Sequence, residues 1–509
     1  MKPKYFIYVF VSAVMIALSR LPLHLGWMVF LGFVPLLKFF ELPDLKPKHL
    51  LWSAFIYAAV YVPVVLYWIT LVTPGGFGGV ILLFTLYYFI AFYVLYIIWQ
   101  YLPRWRYLGF LCVFLSFEYL QNFGELRFPW LNLGYSLADY SYLLQFADIG
   151  GVLGLSVLIL TINLLVYQSP KLRWQAGIGI VLILSLWGAY GWWCTHHLEL
   201  QQQDPKIYVM QPAIEQEDKW EIAYLDSIFT KYRQMTIQAA QDSAKLVIWP
   251  EAAVPFYLRY QPGYRAEMNY LTERLQLDIF TGFPDYVPLP KGHVPPEYYY
   301  NAAALFAQGR GMSELYYKMI LVPIGERIPW LGLFPVLWKL QLGQANWEYG
   351  TEIRSFSSGG YSFSPSICYE IAFPILHHKM AFPQDPGSGN YSKNDYLVNL
   401  TNDAWFGTSY GPWLHGTMTR FRAIENRIQI YRSANTGISM IVDPLGRVLA
   451  RTELYQTANI TAPLYTTRRI PVIRKIYLYP AVFPLVSLAL LIGAFRIKRK
   501  KRISNEVAQ

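Results

Sequence analysis

Residues 476–502 read IYLYPAVFPLVSLALLIGAFRIKRKKR: an uncharged apolar run of bilayer-spanning length, halted by Arg496, Lys498, Arg499, Lys500, Lys501 and Arg502. Because Lys and Arg are held on the cytoplasmic side of a membrane, the run predicts a span whose basic tail is cytoplasmic. Further apolar runs lie N-terminal to it, at about 5–20, 25–41, 51–72, 78–101, 106–122, 150–168 and 173–193. The chain therefore predicts seven spans, a long polar interval, and an eighth span.

Lys2, Lys4, Lys46, Lys48, Arg104, Arg106, Lys171 and Arg173 fall on the same side as the tail, while the opposite short loops hold little beyond Arg20 and Arg127. Both termini are expected in the cytoplasm, and the interval after the odd seventh span outside it, in the periplasm of a Gram-negative cell. The first run reads as a retained anchor, because no small-x-small cleavage site follows it. Composition agrees: 54% of the 509 residues are hydrophobic and only 15% charged, against about 25% in soluble chains. The net charge of +11 is explained by topology signals near anionic lipid, so no nucleic-acid partner is expected. With 3 Cys in the whole chain, a disulfide-stapled scaffold is excluded.

The expected domains are 1–197 (seven helices), 198–475 (an α/β domain) and 476–509 (last helix and tail). In the middle domain, short β-branched or apolar runs at 206–210, 245–249, 278–282, 366–369, 396–400 and 438–442 predict strands, and 222–240 and 416–431 predict helices. Asp443-Pro444-Leu445-Gly446 predicts a hairpin turn. Cys368 is the only cysteine of this domain. It sits in Pro365-Ser366-Ile367-Cys368-Tyr369-Glu370, at a strand end, where a nucleophile is exposed and backbone N–H groups face a reacting carbonyl. A thiol nucleophile needs a base and a cation. Glu251, after Trp249-Pro250, offers the first; Lys318, in Tyr316-Tyr317-Lys318-Met319, offers the second.

Trp249-Pro250-Glu251, Tyr317-Lys318 leading to 322–329 (VPIGERIP), and Ile367-Cys368-Tyr369-Glu370 resemble the Glu-Lys-Cys set of the nitrilase, or carbon–nitrogen hydrolase, superfamily. With the span pattern, they resemble its membrane-integral branch, the apolipoprotein N-acyltransferases. Phe128-Pro129-Trp130-Leu131, Gln211-Pro212, residues 402–407 (NDAWFG), Arg422-Ala423-Ile424-Glu425 and residues 435–439 (NTGIS) extend the match. The resemblance implies an αββα nitrilase-like domain inserted in a polytopic α-helical membrane domain of eight helices. It implies acyl transfer from a phospholipid donor, through a Cys368 thioester, to the amine of a diacylated lipoprotein acceptor at the bacterial inner membrane. Glu251 would be the general base and Lys318 the oxyanion cation. Trp220, Asn301, Glu326, Tyr369 and Glu370 would support the site or the lipid pocket. No cofactor and no metal are expected, and a monomer is the default. Ile324 stands where an aromatic is expected, and His415 where Gln is common.

Two rivals remain: a membrane-tethered amidase that passes the acyl group to water, and a non-catalytic lipoprotein-binding scaffold. Residues 330–342 (WLGLFPVLWKLQL) are apolar enough to cover the site or dip into the membrane interface. Gly407-Thr408-Ser409-Tyr410-Gly411 reads as a loop, not a serine elbow, and residues 74–79 (PGGFGG) as a flexible loop. His196-His197 and His377-His378 read as exposed pairs, and Arg422 with Glu425 as a helix-surface ion pair.

Overall fold

The computed structural model describes residues 4–293, 295–339, 345–384 and 389–507. They form two compact units, Met1–His196 with Lys475–Gln509, and His197–Arg474.

Among the described residues of the first unit, five helices are long and apolar enough to cross a membrane: Pro47–Leu66, Gly75–Tyr101, Ala147–Leu172, Trp174–His197 and Tyr479–Ser504. The apolar runs at 5–20, 25–41 and 106–122 fold as shorter elements. These are Lys4–Leu18, a 3-10 turn Gly26–Phe30 followed by Val34–Phe40, and Arg106–Leu120. Pro35, with no N–H to give, starts a fresh helix and divides the second run. The glycine-rich stretch at 74–79 is not a loop: it forms the first turns of Pro74–Tyr101, where Thr73 Oγ1 caps the Gly76 N–H at 3.2 Å. Several polar groups inside this unit are met by other groups of the unit. Glu118 accepts from the Leu133 N–H (2.9 Å) and the Ser156 hydroxyl (2.6 Å), and Arg20 donates to the Trp130 carbonyl (2.7 Å).

The second unit holds two large sheets. One runs Ala458–Thr461, Ile207–Gln211, Leu246–Ile248, Asp278–Pro288, Glu297–Ala307, Gly311–Met312, with Tyr316–Tyr317 also pairing on Glu297–Ala307. The other runs Val448–Arg451, Met440–Val442, Gln429–Ala434, Tyr396–Thr401, Tyr361–Ile367, Phe356–Ser358. The middle strands of each are parallel and buried on both faces, which is why they read as continuous apolar runs. The sheets meet face to face: the Phe280 and Phe363 rings lie 5.1 Å apart, and Ser433 Oγ crosses to the Met210 carbonyl at 2.8 Å. The helix Leu225–Gln241 buries Phe229 and Tyr232, the latter stacked on Trp249 at 4.6 Å.

One expected helix is displaced. The helix is Gly411–Asn426, ended by Arg427 in the left-handed region (φ 48), and Gln429–Ala434 is a strand paired with Tyr396–Thr401. Tertiary pairing overrode a helical pattern that continued through Tyr431. Ser409 lies one residue before the N-cap Tyr410 of this helix, and its hydroxyl accepts from the Gly411 N–H at 3.1 Å. The histidines of His377-His378 are buried, not exposed, and Arg422 and Glu425 form a buried pair at 2.9 Å.

Candidate active site

Both chemical motifs leave the carboxyl ends of central parallel strands, the usual place for sites in such sheets. Glu251 follows Leu246–Ile248, and Cys368 follows Tyr361–Ile367 directly. Cys368 has φ 50, a left-handed backbone that costs a non-glycine residue of order 1 kcal/mol or more. The turn survives because its surroundings fix it. Glu370, wholly buried, accepts from the Ile367 N–H at 2.7 Å, from Met319 N–H at 2.7 Å and from the Tyr316 hydroxyl at 2.8 Å. One carboxylate thus ties the residue before Cys368 to the residue after Lys318. Burial raises the Glu370 pKa to about 7, with those hydrogen bonds opposing.

Glu251 is buried, and each of its oxygens is assigned. Oε1 accepts from Asn301 Nδ2 at 2.6 Å and lies 3.6 Å from Lys318 Nζ; Oε2 accepts from the Asn402 N–H at 2.8 Å. The Asn301 Oδ1 atom is buried without a hydrogen-bond partner among the described residues. Lys318, completely buried, donates to Glu326 Oε1 at 2.7 Å, and Glu326 Oε2 accepts from the Val322 N–H at 2.8 Å. Burial alone would lower the Lys318 pKa, but Glu326 and Glu251 raise it above the ordinary lysine value, so the residue is a fixed cation. Burial and then the Glu251 charge push the Cys368 thiol up, with Lys318 opposing. With the Cys368 thiol pushed up and Lys318 held as a cation, a thiol attack at this site would need a base to take the proton, and the Glu251 carboxyl is the group packed beside Lys318.

The structure brings Glu251, Lys318, Cys368, Asn301, Glu326 and Glu370 together. Tyr369 is buried against Phe373, with ring centroids 5.2 Å apart. Trp220 is not brought in: it is 45% exposed, and no described contact of its side chain reaches the set.

Two features escaped the sequence. Lys219, completely buried, donates to the Glu251 carbonyl oxygen at 2.9 Å. Burial pulls its pKa down to about 8, against the raising influence of Glu251 and Cys368. Behind Cys368, a buried network is formed by Asp403, His415 and Arg432. His415 Nε2 meets the Cys368 carbonyl at 3.1 Å, and Arg432 Nη2 reaches Asp403 Oδ2 at 2.7 Å and His415 Nδ1 at 2.9 Å. Ligand atoms of Cys368, Asp403 and His415 lie within 4.8 Å of one another, the spacing of a metal site. The Arg432 guanidinium already occupies the Asp403 and His415 atoms that would bind a cation, so a metal does not fit there.

The carbon-nitrogen hydrolase family matches residues 209–468, and the apolipoprotein N-acyltransferase N-terminal domain matches residues 12–165. An apolipoprotein N-acyltransferase of Chlorobaculum tepidum is 33% identical over 70% of this chain and 70% of its own length. One of Geobacter metallireducens is 30% identical over 88% of this chain and 87% of its own. A crystal structure of an amidase from Nesterenkonia sp. overlaps 53% of this chain and 93% of the amidase, at 18% identity and a TM-score of 0.37.

Proposed function

We propose a reaction from the premise that the chain belongs to the apolipoprotein N-acyltransferase family. It moves a fatty acyl chain from a phospholipid, through a thioester on Cys368, to the N-terminal amine of a diacylglyceryl-cysteine lipoprotein. The observation that carries the mechanism is the packing of Glu251 and Lys318 against each other at 3.6 Å, both acting electrostatically on Cys368.

In the first half-reaction the Cys368 sulfur attacks the ester carbonyl as Glu251 takes the thiol proton. Lys318 stabilises the oxyanion. A C–S bond forms, the bond between the acyl carbon and the ester oxygen breaks, the glycerol alkoxide takes the proton back from Glu251, and a lysophospholipid leaves. In the second half-reaction the lipoprotein amine attacks the thioester, Glu251 removes its proton, a C–N bond forms, the C–S bond breaks, and the departing Cys368 thiolate takes that proton from Glu251. Asn301 Oδ1, a buried acceptor without a partner among the described residues, is suited to hold an amine N–H.

The chain is a bacterial membrane protein. We place it in the inner membrane, with eight spans, seven of them in 1–197 and the last in 476–509. Residues 198–475 form the catalytic domain on the periplasmic face, and both termini are cytoplasmic. Arg and Lys placement supports this orientation. Leu333 (72% exposed), Phe334 and Trp330 lie open on the catalytic unit, which supports an interfacial or substrate-covering role for 330–342; of that run, 340–342 lie outside the described residues. Matches to acyltransferases along most of the chain favour transfer to an amine over hydrolysis. We take the working unit as a monomer.

Intact-protein mass spectrometry after incubation with phospholipid vesicles tests the reading. Wild type should gain one acyl chain, labile to hydroxylamine and discharged by a diacylated lipopeptide. Cys368→Ala should gain none; an equal adduct on both proteins sinks the thioester mechanism.

A further inference from the structure

The helical unit contains a groove of ≈ 380 Å³, at the small end of ligand sites, which run from about 300 to 1,000 Å³. Val94 of Pro74–Tyr101, Val113 of Arg106–Leu120 and Leu488 of Val482–Val507 are among its apolar walls. Polar side chains interrupt the lining at Tyr87, at the Ser116–Ser487 pair and at Gln121. The Ser116 hydroxyl donates to the Cys112 carbonyl at 2.5 Å and accepts from the Ser487 hydroxyl at 3.1 Å. Gln121 is different: it is 6% exposed, its Nε2 donates to the Phe117 carbonyl at 3.2 Å, and its Oε1 has no hydrogen-bond partner among the described residues. A buried acceptor left unmet is costly, more so beside helices whose surroundings are hydrocarbon.

The position of that acceptor specifies the ligand. Gln121 caps the end of Arg106–Leu120, and the facing wall begins at Pro484, near the start of Val482–Val507. The facing helix, Tyr479–Ser504, is long and apolar enough to cross a membrane, and the end of such a helix lies at the membrane interface. From Gln121 to Val113 the groove descends about 12 Å along the helix, at 1.5 Å per residue, between apolar walls. A ligand that fits carries a hydrogen-bond donor at the interface and one apolar chain below it.

We propose that this groove binds a single-chain lysophospholipid through its chain and its free glycerol hydroxyl, the hydroxyl donating to Gln121 Oε1. The assignment rests on the acyl transfer above, whose first half-reaction frees that hydroxyl and leaves one chain. An intact phosphatidylcholine has neither an O–H nor an N–H to give, and it has two chains to place.

The test uses full-length Cys368→Ala protein in phosphatidylcholine nanodiscs, so that no chemistry intervenes. The probes are lysophosphatidylcholine and diacyl phosphatidylcholine, each with a photoreactive diazirine in one chain. The lyso probe should label peptides within 106–126 and 482–495 about fivefold more than the diacyl probe. Gln121→Leu should erase that preference, and Val94→Trp, which fills the groove, should erase the labelling itself. Equal labelling by both probes, or labelling indifferent to both substitutions, overturns the proposal. Thioester formation by the same two variants with Cys368 intact reports folding. Loss of the thioester in wild type, with groove labelling retained, would count against the reaction and not against the groove.

Discussion

Lys219 Nζ donates to the carbonyl oxygen of Glu251 at 2.9 Å, from a position with no solvent exposure. The backbone of Glu251, the proposed general base, is thus held by a cation whose field also reaches Cys368. Its charge is lost as pH rises through about 8, well below the ordinary lysine range, because burial disfavours the cation. Acylation by wild type is therefore expected to fall on the alkaline side of pH about 8. Lys219→Arg should move that limb upward, and Lys219→Met should slow acylation on the order of 10–100-fold and remove the limb. Single-turnover acylation followed by mass spectrometry across pH 6–10 reads this; an unchanged profile in both variants refutes the role.

Asn301 spends its Nδ2 on Glu251 Oε1 and leaves Oδ1 open. Asn301→Ala should slow acylation roughly tenfold, by freeing the base, and slow discharge to the lipopeptide more, by also losing the amine acceptor. Measuring the two half-reactions separately decides it, because a purely structural role would depress both alike.

Glu370 faces N–H and O–H donors only, so Glu370→Gln turns an N–H toward other donors. A loss of about 2–4 kcal/mol is expected, seen as a lower Tm of the catalytic unit. Its pKa, raised by burial to about 7, gives a sign to the pH dependence as well. A carboxyl whose folded pKa lies above its unfolded value contributes stability below the ordinary Glu range and loses it as pH rises through about 7. Wild-type stability should carry a downward component from pH 5 to 7.5 that Glu370→Gln lacks.

His415 Nε2 pins the Cys368 carbonyl at 3.1 Å, a bond in which the ring must donate. Glutamine supplies an N–H from a similar reach, so His415→Gln should keep acylation within roughly threefold. His415→Leu should lose at least about tenfold, because the strained turn is unpinned and Arg432 and Asp403 lose a partner. Thioester yield per folded protein, with Tm alongside, separates the two.

Glu251, Lys318 and Cys368 were legible because each stands in a short motif at a strand end, and strand ends survive as apolar runs followed by turns. Lys219 was not. In Gln216-Glu217-Asp218-Lys219 it looks like one more solvated charge, and only tertiary packing buries it. Arg432 and Asp403 were equally hidden, since a pair 2.7 Å apart in space carries no mark of spacing in the chain. Trp220 was drawn toward the site or the lipid pocket by family pattern alone, and in the structure its side chain is half exposed. The strand Gln429–Ala434 was masked by apolar residues that continue the preceding helix's period.

The left-handed backbone at Cys368 suits glycine better than any residue with a side chain. Evolution cannot accept that trade, since glycine carries no sulfur, but a laboratory can. Cys368→Gly should melt higher than wild type, by up to about 1 kcal/mol, while being inert. An inactive enzyme that is sturdier than the working one is the natural vessel for trapping both lipid substrates unreacted.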